Sequence, residues 1–505
     1  MFLSRLKYLL SPLIKMLFLN GAGRWLKRTI YLFFKRFLLQ SIRAGRLSFL
    51  YPHALVLGQL YEDKQLLQIT LKAAASRRVP LNNAQIRLAH NVLGDIKKGQ
   101  DYSAYKEYEV FYQVFQQKAF RSIESALNTG CKKLLFVSTM GPGDDIRFAA
   151  FFKEISRMCS GVSFSITCDP RLLSLFKRSF PTLRFVPVRR IRNGLIPNNA
   201  YNLLPDPRLS QFFDNDSFIL GSACDGVLLM HDALAALVTS IEAVPSKPYL
   251  IPDETLLDHW AARLEGEKHL LKIGISWRSM INTVNRSTEY VRVKDFSKIL
   301  GEKGCAFYNT QYAYSKDELR YLADHPANVK TFEDLDTMND FDSLAALMCN
   351  LDLLISPNTS TAILGGALGI PSLLIAPTMG NRYWGKYQTI PHDYWFPSIH
   401  YVWGRHPGDV QGLLSKLKKD ISFFSSASGN VQSRTSYYCP EYWIYLGKRF
   451  QESADIRSEA ECLSVYGKMT NHTDTAVNSR LIHLYESLGE TQCAQDLSIE
   501  CSRDG

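Results

Sequence analysis

Twice along this chain a short apolar run closes on a tight turn and gives way to a helical pattern, and this alternation constrains the fold most. Lys133 to Ser138 (KLLFVS) ends in the turn Met140-Gly141-Pro142-Gly143-Asp144-Asp145, and an amphipathic helix follows from Ile146 to about Met158. Ser163 to Thr167 is the next strand, Arg171 to Phe180 a helix and Leu183 to Pro187 another strand. Pro245, Pro248 and Pro252 punctuate a boundary, with a helix from Glu254 to Leu264 beyond it. The pattern then restarts with Leu271 to Trp277 (LKIGISW), a helix at Lys294 to Leu300, a strand at Ala306 to Asn309 and a helix at Phe341 to Met348. Leu351 to Ser356 (LDLLIS) is a strand, Thr361 to Gly369 a helix and Ser372 to Ala376 (SLLIA) a strand. Strands alternating with helices predict parallel sheets covered by helices. The fold class is therefore α/β, with Rossmann-like units over 126–250 and 265–405.

Residues 51–125 read as short helices, around Ala54 to Tyr61, Lys64 to Ser76, Asn83 to Ile96 and Tyr105 to Ala126, without a convincing 34-residue period. This is an irregular, degenerate tetratricopeptide-like region. Residues 406–505 form a helical tail interrupted by the polar stretch Ser425 to Thr435.

The net charge of +11 is not a general basicity. Residues 1–50 contain ten Lys and Arg and no Asp or Glu, so the rest of the chain carries a net of only +1. A nucleic-acid-binding surface would spread basic charge over the folded body, which argues against nucleic acid as a partner. Leu26, Ile30, Phe33, Phe34 and Phe37 fall on one helical face and Lys27, Arg28, Lys35 and Arg36 on the other. Basic residues break every apolar stretch, so a helix here lies on an anionic membrane rather than crossing it. Each Lys or Arg near such a leaflet contributes about 1 kcal/mol. The alternative is that these helices are the first elements of a packed helical domain. There is no small-residue cleavage pattern of a signal peptide. Localisation is expected to be cytoplasmic and peripheral on the inner face of the cell membrane. The ten cysteines are scattered, without a CxxC pair or zinc spacing, as in a reducing compartment.

Three places can carry chemistry. The turn Gly141 to Asp145 offers amides and the positive end of a helix dipole to an anion, and a carboxylate there can act as a general base. Ordinary helix capping explains the same residues. Ser356 to Gly369 (SPNTSTAILGGALG) leads from a strand into a helix, so amides and hydroxyls of Asn358, Thr359, Ser360 and Thr361 can cradle a diphosphate. Gly365 and Gly366 would let that helix approach the sheet closely. Ser276, Arg278, Asn282, Asn285 and Arg286 follow the first strand of the second unit, and guanidinium groups suit phosphate recognition. His231, beside Asp232, can touch substrate or assist proton transfer, or be a packed helical residue within the apolar run Val227 to Leu237. Tyr383, Trp384, Trp395 and Phe396 can stack on a base or sugar, or build core.

The ordered set GISW, FYNTQ, FDSLAALMCNLDLLISPNTSTAILGGALGIPSLLI and WFPS resembles the catalytic part of bacterial tetratricopeptide-linked glycosyltransferases. These are relatives of the lipopolysaccharide heptosyltransferases of family 9 and, more remotely, of protein O-GlcNAc transferase. The upstream KKLLFVSTMGPGDDIRFAAFFKEI is similar to that family's first strand, GxGD turn and helix, so the resemblance covers about residues 130 to 405. It implies a GT-B fold: two Rossmann-like domains facing a cleft, the first for the acceptor and the second for the nucleotide sugar. Catalysis without a metal or other cofactor is implied as well. On Asp144, which matches the Asp of the GxGD turn, falls the role of general base. Asn358, Thr359 and Ser360 would lie against the donor diphosphate, with Ser276, Arg278 and Arg286 nearby. The family's donor loop commonly has Asp-Thr and, four residues beyond the Thr, a His; here those places hold Asn358, Thr359 and Ile363.

The expected function is thus inverting sugar transfer from a nucleotide-activated donor to a hydroxyl of a lipid-linked glycan, a surface polysaccharide or a protein. The alternative, supported by Asn358 and Ile363, is a non-catalytic glycosyltransferase-like scaffold that binds protein partners.

Overall fold

The computed structural model describes residues 24–45, 48–60, 63–79, 81, 86, 89, 106–191, 199–238, 244, 245, 247–267, 269–280, 290–327, 329–376, 393, 395–403, 409–427, 443, 444, 447, 448, 451, 456–470 and 472–503. It begins with α1 (Arg24–Arg43), α2 (Tyr51–Leu60) and α3 (Lys64–Ser76). Tyr31, Phe34, Leu38 and Ile42 recur at three- and four-residue intervals along α1 and bury against Leu57, Leu66 and Ala73. Asp63 caps α3 and also receives the Tyr31 hydroxyl at 2.6 Å and pairs with Lys35. Burial alone would raise the Asp63 carboxyl, but Lys35 and Tyr31 outweigh it and hold it below its usual range. Of the face expected to meet a membrane, Phe34 is therefore inside a helical bundle, because α2 and α3 cover it, while Phe37 is exposed. The side chains of Leu26, Ile30 and Phe33 lie outside the described residues, as does most of the helix expected at Asn83 to Ile96. Among the described residues no helix is long and apolar enough to cross a membrane.

The first α/β unit contains α4 (Lys106–Phe115), β1 (Ala119–Phe120), α5 (Ile123–Asn128), β2 (Lys133–Val137), α6 (Pro142–Ala149), α7 (Phe152–Met158), β3 (Ser163–Cys168), α8 (Leu173–Ser179), β4 (Phe185–Pro187), α9 (Asn215–Ala223), β5 (Gly226–Leu229) and α10 (Met230–Leu237). Its strands run parallel in the order β1-β5-β2-β3-β4. The two-residue period of β2 sends Leu135 and Val137 toward Phe111, Phe212 and Phe213, and Leu134 and Phe136 toward the helices on the opposite face. The sheet reaches back to Ala119, upstream of residue 126. The apolar run from Val227 is strand as far as Leu229 and helix only from Met230, because β5 fills the place between β1 and β2.

The second unit comprises α11 (Glu254–Leu264), β6 (Leu271–Ile275), α12 (Ser297–Leu300), β7 (Cys305–Asn309), α13 (Lys316–Asp324), α14 (Phe341–Cys349), β8 (Leu353–Ser356), α15 (Ser360–Ala367), β9 (Ser372–Ala376) and β10 (Ile399–Trp403). The order β10-β9-β8-β6-β7 is again wholly parallel. In the tail, α16 (Val410–Ala427) packs Leu413, Leu417 and Ile421 on Ile355 and Leu373, while α17 (Ile456–Met469), α18 (Thr475–Ser487) and α19 (Thr491–Arg503) bury Leu463, Leu481 and Leu497 together.

The inward faces of both sheets join one apolar core, in which Ile146 of α6 and Phe152 of α7 meet Leu344 of α14 and Ala362 of α15. Polar links reinforce it: Arg178 donates to Asp342 at 2.8 Å and Arg171 to the Met338 carbonyl at 3.0 Å. The glycine pair does what its position suggested. A Cβ on Gly365 would stand 2.9 Å from Leu354, and one on Gly366 only 2.5 Å from the Phe396 ring. Gly366→Ala is expected to cost about 1–3 kcal/mol, read as a lowered denaturant midpoint with an unchanged slope. An unaltered midpoint would mean that Phe396 yields freely.

Candidate active site

The turn leaving β2 is held in an uncommon conformation. Met140 has φ of +68°, a strained value for a side chain of its size. Around it the Ser138 N–H donates to the Thr167 hydroxyl at 2.8 Å, and the Thr139 hydroxyl bonds His231 Nδ1. Gly141 then caps α6 and Pro142 occupies its first turn, where its missing N–H is not needed. The adjacent carboxylates diverge. Asp144 is half-buried, and its Oδ2 accepts the Gly141 N–H at 3.3 Å. Asp145 points inward, where Arg190 grips it at 3.1 and 2.6 Å and the Asp169 N–H donates at 2.7 Å. Burial pushes the Asp145 carboxyl up to about 6, with Arg190 pulling the other way. Asp145 is thus held inside the fold, whereas Asp144 stays partly exposed at the turn.

On the second sheet, hydroxyls gather at the carboxyl ends of β6 and β8. Ser276 Oγ donates to Ser356 Oγ at 2.6 Å, and Ser356 Oγ lies 3.2 Å from Thr359 Oγ1. Thr359 sits at the N-cap of α15 but its hydroxyl does not cap the helix. Ser360 opens the helix and is half-buried like Asn358, whereas Thr361 is buried. The two units meet at this point, since a Cβ on Gly143 would lie 3.4 Å from both Cα and Oγ of Ser360. The amino ends of α6 and α15 therefore converge, and with them two positive dipole ends, although on α6 Pro142 has no N–H and the Gly141, Asp144 and Asp145 amides are already bonded within the turn. Such a place attracts an anion.

The structure brings together Asp144, Ser276, Asn358, Thr359, Ser360 and Thr361 around this convergence. His231 stands beside it, buried against Phe148 at 4.7 Å between ring centroids, while its neighbour Asp232 accepts the Tyr112 hydroxyl. Arg278 is directed elsewhere: it forms a forked pair with Glu318 at 2.9 and 2.6 Å, to which Trp277 Nε1 also donates. Burial would raise Glu318, but Arg278, the Ser315 N–H and Trp277 bring it down to about 2. Gln311 fastens the same segment, accepting from the Trp277 and Arg278 amides and donating to the Arg278 carbonyl. Arg286, Asn282, Asn285, Tyr383 and Trp384 lie outside the described residues. Trp395 and Phe396 are core, packed between the two units. Sequence reasoning passed over Thr139, Gln311 and Glu318 and gave Ser356, the first residue of its second motif, no role of its own; of these, Glu318 carried a signal, as the third helical residue of a Ser315 capping box.

No protein-family model matches this sequence. Among curated proteins it is similar to protein FlbA of Caulobacter vibrioides, with 27% identity over 272 residues, 53% of this chain and 42% of that protein. The chain thus spans less than half the length of that relative. Among solved structures, a glycosyl transferase family 9 protein from Veillonella parvula aligns over 58% of this chain and 98% of its own, at 11% identity and a TM-score of 0.43. The E. coli heptosyltransferase WaaC with ADP-2-deoxy-2-fluoro heptose aligns over 58% of this chain and 99% of its own, at 14% identity and a TM-score of 0.37.

Proposed function

We propose that this chain is a GT-B glycosyltransferase that moves a sugar from a nucleotide-activated donor to an acceptor hydroxyl. The observation that carries the proposal is the convergence of the amino ends of α6 and α15, with Asp144 on one and the Asn358 amide and the hydroxyls of Thr359, Ser360 and Thr361 at the other. In this mechanism the donor diphosphate rests on the α15 amides and gains negative charge as the sugar departs. Fixed amides stabilise that charge without having to reorient. Asp144, across the convergence, accepts the acceptor's proton as its oxygen attacks the anomeric carbon from the face opposite the diphosphate. Transfer is then inverting and needs no metal. The acceptor is a lipid-linked glycan, a surface polysaccharide or a protein, and the basic segment 1–50 keeps the enzyme at the inner, anionic face of the cell membrane.

A second reading, a scaffold with no donor, is favoured by one observation: Ile363, where the resembled family has a His, is packed in the apolar core. Titration calorimetry of the full chain with UDP-, GDP-, CDP-, ADP-, dTDP- and CMP-sugars separates the two. Saturable heat with one of them, competed by its free nucleotide, is the expected result. Absence of heat with all of them overturns the transferase assignment in favour of the scaffold.

A further inference from the structure

Helix α6 carries Asp144 at its first turn and is gripped at its last turn from outside its own sheet. The last carbonyls of a helix lack partners within it. Here the Tyr249 hydroxyl, from the segment joining the two units, donates to the Ile146 carbonyl at 2.6 Å, and Trp395 Nε1, from the second unit, donates to the Arg147 carbonyl at 2.8 Å. The Arg147 side chain reaches the same region, where its Nη2 meets Asp393 Oδ2 at 3.3 Å and its guanidinium lies 5.1 Å from the centre of the Phe396 ring. Asp393 is itself fixed, accepting the Trp395 and Phe396 amides at 2.8 and 3.1 Å and the Tyr401 hydroxyl. The carboxylate is fully buried and the guanidinium nearly so, at 0% and 8% exposure. A charge pair enclosed to this degree resists separation, because either partner left alone has no water to turn to.

Arg147 stands three residues, just under one helical turn, beyond Asp144, and α6 has only 8 residues. A body this short moves as a unit, so a shift at Arg147 is transmitted to Asp144. We propose that Arg147 and Asp393 are positioning residues: they form a clamp between the two units that sets the placement of Asp144, so that the base is aligned only while the second unit is docked on α6. The proposal rests on the assignment of Asp144 as the base.

Asp393→Asn and Arg147→Gln test it, alone and together, in the full chain. In Asp393→Asn the amide oxygen still serves the Trp395 and Phe396 N–H groups, but the amide nitrogen now confronts the guanidinium donor to donor. Each single variant is expected to lower kcat by on the order of 10²-fold while leaving the donor KM unchanged, since misplacement of about 1 Å has that effect on a reacting group. Each is also expected to speed amide hydrogen exchange in α6 relative to β2 and β3. The double variant, in which two amides can bond each other, recovers a large part of both. Where a charge variant does not fold, Trp395→Phe removes the indole donor to the Arg147 carbonyl, together with part of a buried ring, while sparing the charge pair, and gives the same exchange readout. Unaltered exchange in α6, or parallel changes in kcat and donor KM, overturns the clamp. Faster exchange in a chain that transfers no sugar overturns the role of Asp144 and leaves the clamp standing, which keeps the two failures distinct.

Discussion

Asp144→Asn is expected to slow sugar transfer by about 10²–10⁴-fold, the usual contribution of a general base, while the protein remains folded. Two observations separate the effect on chemistry from an effect on structure. The Asn amide oxygen can accept the Gly141 N–H that Asp144 Oδ2 now accepts at 3.3 Å, so the start of α6 is preserved. The lost negative charge at the first turn costs only about 0.3–1 kcal/mol through the helix dipole. Single-turnover product analysis by mass spectrometry, paired with a melting curve, measures both quantities on one preparation. Transfer at the undiminished rate would remove Asp144 from the mechanism. Asp145→Asn serves as the contrasting variant: it disturbs the Arg190 pair and should lower the melting temperature clearly more than Asp144→Asn does.

The difference between these neighbouring carboxylates marks where sequence reasoning ends. Asp144 and Asn358 to Thr361 were visible as candidates because each lies within a few residues of an apolar strand, at the carboxyl edge where parallel sheets expose helix amino ends. The partners that decide what the other charged groups do are not local. Asp145 meets Arg190 across 45 residues, Arg278 meets Glu318 across 40, and Arg147 meets Asp393 across 246. Each meeting depends on strand order, which periodicity does not specify. Arg278 shows the consequence: placed just beyond β6 it looks like a phosphate ligand, yet α13 brings Glu318 to it first. The fold was more legible than the site, since KLLFV, LKIGI and SLLIA are short, mostly apolar runs bounded by turns. Ala119–Phe120 is too short to register, and Gly226–Leu229 merges into the helix behind it, so the place of β5 between β1 and β2 came only from the pairing.

Arg190→Met carries the largest expected loss of stability. Arg190 and Asp145 are 4% and 1% exposed, so removing the guanidinium strands a carboxylate that keeps only the Asp169 N–H. Breaking a buried pair in this way costs about 3–5 kcal/mol. The loss should also depend on pH in a definite direction. With Arg190 present, burial already lifts Asp145 from its ordinary 3.8 to about 6, and without Arg190 the lift is greater. A carboxyl whose folded value lies above its unfolded value contributes stability that is complete below the unfolded value and is lost as pH rises through the folded one. The variant should therefore stand closest to the parent near pH 3.8 and fall progressively behind as the pH rises past about 6. Urea denaturation across that range measures the gap, and adding Asp145→Asn should narrow it at high pH by removing the charge that has lost its partner. A deficit of constant size would mean that the cost is one of lost packing by the Arg190 stem, and that the turn presenting Asp144 does not depend on this buried charge.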